Sequence, residues 1–189
     1  MKKFFKNYGF LLAVIAIVLV LRLFIFSPVK VSGHSMDPTL ADGQRLIASK
    51  ITTYSRGDII TCEEPDEDGR LIVKRIIGLP GDHVVMNDDQ LTINDDTVPE
   101  DYLASYQAAF NEDQLQSEYD YDADFQYVAS QAENFTSDFD YTVPAGEYLV
   151  LGDNRLISKD SRYFGFVKEN AIKGEVVLRY WPLAEVQLF

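Results

Sequence analysis

The chain has 189 residues, room for one core of moderate size, and carries 17 Lys and Arg against 30 Asp and Glu. Of those acids, 18 lie between Ile76 and Asn154, a stretch without a single Lys or Arg, so a mildly basic body bears a strongly acidic insertion. No Lys/Arg stripe interleaves with aromatic residues, which excludes a nucleic-acid-binding groove. One cysteine, Cys62, excludes an intramolecular disulfide, and only two histidines, His34 and His83, leave any zinc site short of ligands, so neither a metal nor a cofactor is expected.

Lys2, Lys3 and Lys6 precede an apolar run from Tyr8 to Phe26 that is broken only by Arg22. Such a run, at about 1.5 Å per residue, reaches about 28 Å as a helix, enough to span a bilayer. Arg22 falls about one turn from its outer end, where the stem can snorkel to the headgroups. Three lysines before the run against Lys30 after it orient the N-terminus inwards. A cleaved secretory signal is the competing reading, because the uninterrupted core from Phe10 to Leu21 is short. Against it, that core leads into Arg22, bulky Phe and Ile, then Ser27-Pro28, with no small-x-small cleavage pattern. The expected organisation is therefore a cytoplasmic segment 1–7, a single transmembrane helix 8–26, and an extracytoplasmic body 27–189 at the cell membrane.

Beyond Pro28 the chain alternates short β-branched runs with Gly, Pro and Asp turns. Strands are predicted over Arg45 to Ile51, Asp58 to Cys62, Leu71 to Ile77, His83 to Asn87, Gln90 to Asn94, Tyr148 to Leu151 and Glu175 to Tyr180. The fold class is mainly β: an antiparallel sheet body behind the anchor. Between about residues 99 and 141 the composition turns to Asp, Glu, Gln, Ser and Tyr. There Leu103, Tyr106 and Phe110, then Phe125, Val128 and Ala132, fall at helical spacing, predicting a small, partly helical acidic insertion that caps the sheet. Asn134-Phe135-Thr136 matches a glycosylation acceptor, a pattern too permissive to carry weight alone.

Three segments bear chemistry. Ser32-Gly33-His34-Ser35-Met36-Asp37-Pro38-Thr39-Leu40 is a Gly-containing turn closed by proline, which can expose the Ser35 hydroxyl and align backbone N–H groups for an oxyanion. It can equally be only a turn. A nucleophilic serine needs a base. His34 is a poor one, since adjacent side chains on extended backbone point apart, and His83 has no reason to face Ser35. Lys74 lies in Leu71-Ile72-Val73-Lys74-Arg75-Ile76-Ile77, sharing a strand face with Ile72 and Ile76, and is either desolvated or at a sheet edge. A free lysine is neutral in about one molecule in 2,500 at pH 7, and burial against apolar neighbours would make it a usable base. The third segment runs from Gly152-Asp153-Asn154-Arg155 through Ser158-Lys159-Asp160-Ser161-Arg162 to Gly165. Its Asp153 and Asp160 are best used in pairing with Arg75 or Arg162, holding this loop against the Lys74 strand.

Taken in order, these segments resemble the type I signal peptidases, serine–lysine proteases, in their Gram-positive form. The match rests on Ser32 to Thr39, on Val73-Lys74-Arg75-Ile76-Ile77-Gly78-Leu79-Pro80-Gly81-Asp82, and on Gly152 to Arg162 with Gly165, and with the anchor and Gly57-Asp58 it covers all but the acidic insertion. The resemblance implies a membrane-bound serine endopeptidase that removes signal peptides from exported preproteins, close to the lipid bilayer and to the secretion channel. It implies Ser35 as nucleophile, Lys74 as general base and Ser158 as the residue that orients the lysine. Asp153, Asp160, Arg75 and Arg162 become structural supports, and Val31, Met36, Leu40 and Ile72 line pockets for small side chains, with the substrate added as an extended strand. Some relatives place a serine two residues before the nucleophile as an oxyanion donor; here that position is Gly33, so backbone N–H groups must serve. A non-hydrolytic assembly factor on the same fold is the alternative in another class, and some such proteins lack the serine or the lysine that this chain keeps. A self-cleaving repressor would want a DNA-binding domain where this chain has an anchor.

Overall fold

The structure, a computed structural model, describes residues 2–112, 115 and 123–189. Helix α1 (Lys2–Val20) passes into one π-helical turn, Leu21–Ile25. Its segment Tyr8–Ile25 has a mean hydropathy of 2.7 and is not buried against the body, so it is long and apolar enough to cross a membrane. Phe26, the last residue of the expected span, opens strand β1 (Phe26–Lys30) and pairs with Ser49. Two bonds tie the helix end to the body: the Lys50 N–H donates to Ile25 O at 2.8 Å, and Lys50 Nζ donates to Leu23 O at 3.1 Å. An ammonium group on the last carbonyls suits the negative end of the helix dipole.

β1 was not legible as a strand, since Ser27-Pro28 reads as a break. Proline is tolerated there because β1 is an edge strand, hydrogen-bonded on one side only, to β2 (Arg45–Ser49). The main sheet continues with β3 (Ile59–Glu63), β4 (Leu71–Gly78), β9 (Glu147–Leu151), β10 (Val167–Lys168) and the long β11 (Ile172–Trp181). Its order is β1-β2-β11-β3-β4-β9-β10, with β12 (Gln187–Leu188) paired to β11, and its described pairings are antiparallel. A second antiparallel sheet, in the order β7-β6-β5-β8, comprises β5 (His83–Asn87), β6 (Gln90–Ile93), β7 (Asp96–Thr97) and β8 (Phe139–Thr142).

Every predicted strand is present, and the body is mainly antiparallel β as expected. The two sheets share one apolar cluster, in which Ile77, Leu149 and Leu151 pack against Val84, Met86, Leu91, Ile93 and Phe139. The acidic insertion is more than a solvated cap. Within its described part, α2 (Ala104–Asn111) and α3 (Ala123–Gln131) enclose a cluster of Leu103, Tyr106, Ala109, Leu115, Phe125 and Phe135, and Leu156 of the third motif packs against it. The expected insertion boundary at 141 cuts through β8, which belongs to the second sheet.

Candidate active site

β4 is an interior strand, between β3 and β9, so the edge-lysine alternative falls. Lys74 lies opposite Ile60 in the β3–β4 register and is 3% exposed. Its amine donates to Ser35 Oγ at 2.8 Å. Burial pushes the Lys74 pKa below its ordinary 10.5, partly opposed by the charges of Asp160, Glu64 and Asp153 and by Cys62. No carboxylate hydrogen-bonds or ion-pairs with this amine among the described contacts, so desolvation wins and the pKa moves down, towards the neutral form.

Ser35 reaches the lysine from a compact turn. Asp37 N donates to His34 O, Leu40 N donates to Met36 O, and the Asp37–Pro38 peptide is cis. The backbone at His34 and Ser35 is turned rather than extended; His34 Nδ1 lies 2.8 Å from Asp37 Oδ2, and among the described contacts it is Lys74 Nζ that meets Ser35 Oγ. His83 is on the second sheet beside exposed Asp140. Gly33, at φ +85°, occupies a backbone region that a serine would enter only with strain, and its N–H is held by Asp42 Oδ1 at 2.8 Å.

The third motif reaches the site because β9 ends at Leu151 opposite Arg75, so the chain leaves the sheet beside Lys74. Its Asn154 N–H donates to the Ser35 carbonyl at 3.1 Å, and its Ser158 N–H donates to Asn154 O. Gly152 is required by space: a Cβ there would stand 2.4 Å from Ser35 O and 2.1 Å from Ser158 Oγ. Arg75 is bidentate to Asp153, at 2.9 and 2.6 Å, and Thr39 Oγ1 donates to the same carboxylate, which fastens loop, β4 and the Ser35 turn at one point. Asp160 accepts from Arg162 Nε and Nη2, both at 2.8 Å, and from Gly152 N at 3.0 Å. Of the two acids, therefore, Asp153 crosses to the lysine strand and Asp160 braces the loop internally. Ser158 Oγ is buried and makes no hydrogen bond to Lys74 or to any other group among the described residues.

A cleft of about 550 Å³ opens over the pair, walled by Ser27 to Met36 on one side and Leu71 to Lys74 on the other, with Ile157 and Lys159 at the loop. Val31, Met36 and Ile72 line it. Leu40 does not: it is wholly buried behind the cleft, in the cluster of Leu46, Ile59 and Val176, because the turn after Pro38 folds it inwards. No group of three or more metal-ligating side chains occurs among the described residues. The arrangement can therefore offer a hydroxyl oxygen, an amine of lowered pKa within reach of its proton and a groove for an extended chain.

A signal peptidase family model, peptidase S26, matches residues 2–181. The chain belongs to the signal peptidase family. Among its relatives, signal peptidase I of Streptococcus pneumoniae R6 is 43% identical over 100% of this chain and 98% of its own. Signal peptidase I U of Bacillus subtilis is 37% identical over 94% and 87%. A crystal structure of a signal peptidase I from Enterococcus faecalis is 40% identical, superposes with a TM-score of 0.51, and covers 66% of this chain and 97% of its own. Membership makes the chain a peptide-bond hydrolase of the serine protease type and agrees with the Gram-positive character of the sequence.

Sequence reasoning passed over Arg155, Glu100 and Tyr102. Arg155 is wholly buried, bonded to the Gly152 carbonyl and to Glu100, and burial is more than offset by Glu100 and Tyr102, so its pKa lies above the ordinary value. The available signal was Arg155 itself, the first basic residue after the long acidic stretch. The same arginine donates to Thr136 Oγ1, which is buried.

Proposed function

We propose that this protein is a membrane-anchored endopeptidase that removes signal peptides from exported preproteins, with Ser35 as nucleophile and Lys74 as general base. The observation that carries the reading is the 2.8 Å contact between Ser35 Oγ and a buried lysine amine, over a cleft of the right form for an extended chain. In the acylation step the neutral amine takes the hydroxyl proton as Oγ attacks the scissile carbonyl, and the resulting ammonium then protonates the leaving amine. Water bound in place of that amine gives up a proton to Lys74 and releases the acyl group from Ser35. The oxyanion is met by backbone N–H groups, chiefly that of Ser35, since Gly33 supplies no hydroxyl.

Ser158 takes its place in this scheme by a rotamer change that turns its buried, unpartnered Oγ to the amine. Asp153, Asp160, Arg75 and Arg162 hold the loop, and Val31, Met36 and Ile72 receive small side chains on either side of the cleaved bond. Residues 1–7 lie in the cytoplasm and the body from 27 onwards outside, anchored by the apolar helix beside the secretion channel. The test is processing of a preprotein by the purified full-length chain in detergent. Cleavage should stop in Ser35→Ala and in Lys74→Ala while the far-ultraviolet circular dichroism stays native; cleavage at the native rate by either variant would sink the assignment.

A further inference from the structure

The acidic insertion has no motif, yet it contributes the partners of two buried guanidinium groups in the catalytic region. Arg155 has no exposed side-chain surface, and Glu100 has 5%. Their pair is bidentate: Nη2 donates to Oε1 at 2.6 Å and Nη1 donates to Oε2 at 3.0 Å. The remaining direction of Arg155 faces the loop itself, with Nε donating to Gly152 O at 3.0 Å. Tyr102 completes the bridge. Its hydroxyl donates to Glu100 Oε1 and accepts from Arg155 Nη2, while its ring lies 4.0 Å from the carbon of the Arg75 guanidinium, which donates to Asp153 through Nε and Nη2.

We propose that Glu100 is a positioning residue for cleavage, which through Arg155 and Tyr102 clamps the 152–158 loop in the place that holds the Ser35 carbonyl. The physical reason is over-determination of Gly152. Its N–H is taken by Asp160 and its carbonyl by Arg155, and two residues later the loop donates to Ser35 O. Where Gly152 sits, the nucleophile turn and Ser158 must follow, because no spare volume separates them. A guanidinium without water cannot hold that carbonyl unless its charge is met, and Glu100 is the carboxylate that meets it. Leu156, packed on the insertion's own apolar cluster, presses the other end of the same loop. The insertion thereby acts on the reaction from a distance, touching no substrate.

This inference rests on the Ser35–Lys74 reading, and the test separates the two. Glu100→Ala, Glu100→Gln and, as a neighbouring exposed control, Asp101→Asn are made in the full chain, and cleavage of a precursor peptide is followed below each melting transition. Glu100→Ala should lower kcat by about 10- to 100-fold with KM changed less than about twofold, since a misplaced nucleophile costs turnover rather than binding. Glu100→Gln keeps one acceptor oxygen and should fall between Glu100→Ala and the native enzyme. Amide hydrogen exchange at Asn154 and Ser158 should quicken in the same order. A folded Glu100→Ala with native kcat, or one that loses kcat with unchanged exchange at those two amides, overturns the clamp. Should Glu100→Ala not fold, native turnover in Glu100→Gln does the same. If the native chain cleaves no precursor, the Ser35–Lys74 reading fails, while the exchange arm still decides whether Glu100 holds the loop.

Discussion

Lys74 and Arg75 are adjacent on β4, both buried, and their environments are opposites. The face bearing Arg75 supplies a bidentate carboxylate, a backbone carbonyl at Gly57 and an aromatic ring, and the guanidinium stays charged, its pKa raised although burial alone would lower it. The face bearing Lys74 supplies a serine hydroxyl and apolar neighbours, and the amine is driven towards neutrality. A pleated strand turns successive side chains to opposite faces, so one residue of sequence separates a fixed cation from an amine of lowered pKa. The difference teaches that burial by itself does not set protonation; the partner does, and a strand can keep a paired charge next to a desolvated amine without pairing them with each other.

The contrast breaks most severely at Arg75. Asp153→Asn leaves a buried guanidinium with no counter-charge and should cost about 3–5 kcal/mol of unfolding free energy, read from denaturant melts. That variant should lose cleavage with its stability, since the same carboxylate holds Thr39 and the loop.

Lys74 should respond in the other direction. Lys74→Met removes an amine whose charged form the folded protein solvates poorly, so it should abolish cleavage and yet raise Tm, by about 2–4 °C for each 1 kcal/mol gained. The sign of the pH dependence comes from the depressed pKa. At low pH the lysine is protonated in both states and its folded form bears the full desolvation cost. As pH rises through the depressed pKa the folded protein sheds the proton first, so stability increases until the unfolded chain also loses it near the ordinary 10.5. On the proposed mechanism, in which the neutral amine is the base, turnover should rise through that same depressed pKa. A pH-independent rate from 5 to 9, or a Lys74→Met variant less stable than the native chain at pH 7, would remove the idea that Lys74 is a desolvated base.

The smallest effect sharpens the comparison from outside the core. Lys173 and Glu63 pair at 2.9 Å with 40% and 47% of their side chains exposed. Water already solvates both charges, so Lys173→Ala should change stability by about 0–1 kcal/mol. A loss of several kcal/mol there would mean that burial is not what separates Arg75 from an ordinary surface ion.

Much of this molecule was legible in one dimension. Period-two runs and Gly, Pro and Asp turns located seven strands to within a few residues, because alternation reports which face meets a core. Ser35, Lys74 and the Gly152 to Arg162 segment were identifiable for a similar reason: each carries residue types that an ordinary turn or strand does not need. The short strands were not, since β7, β10 and β12 have two residues each, and β1 hides behind Pro28.

What tertiary structure alone decided is which partner each polar group meets. Whether Lys74 was an edge residue or an interior one depended on β9, which pairs with β4 from about seventy residues further along the chain. Leu40 is apolar enough for a pocket wall, yet the fold turns it into the core, and the Ser158 hydroxyl makes no hydrogen bond to the lysine. Glu100 and Arg155 are separated by 55 positions, and nothing local marks them as a pair. Sequence by itself determined the elements and the chemical inventory, because those are set by local backbone preference and side-chain type. The direction of each pKa shift and the contacts that hold the 152–158 loop required the fold, because the cost of a buried charge depends on distances that no local pattern encodes.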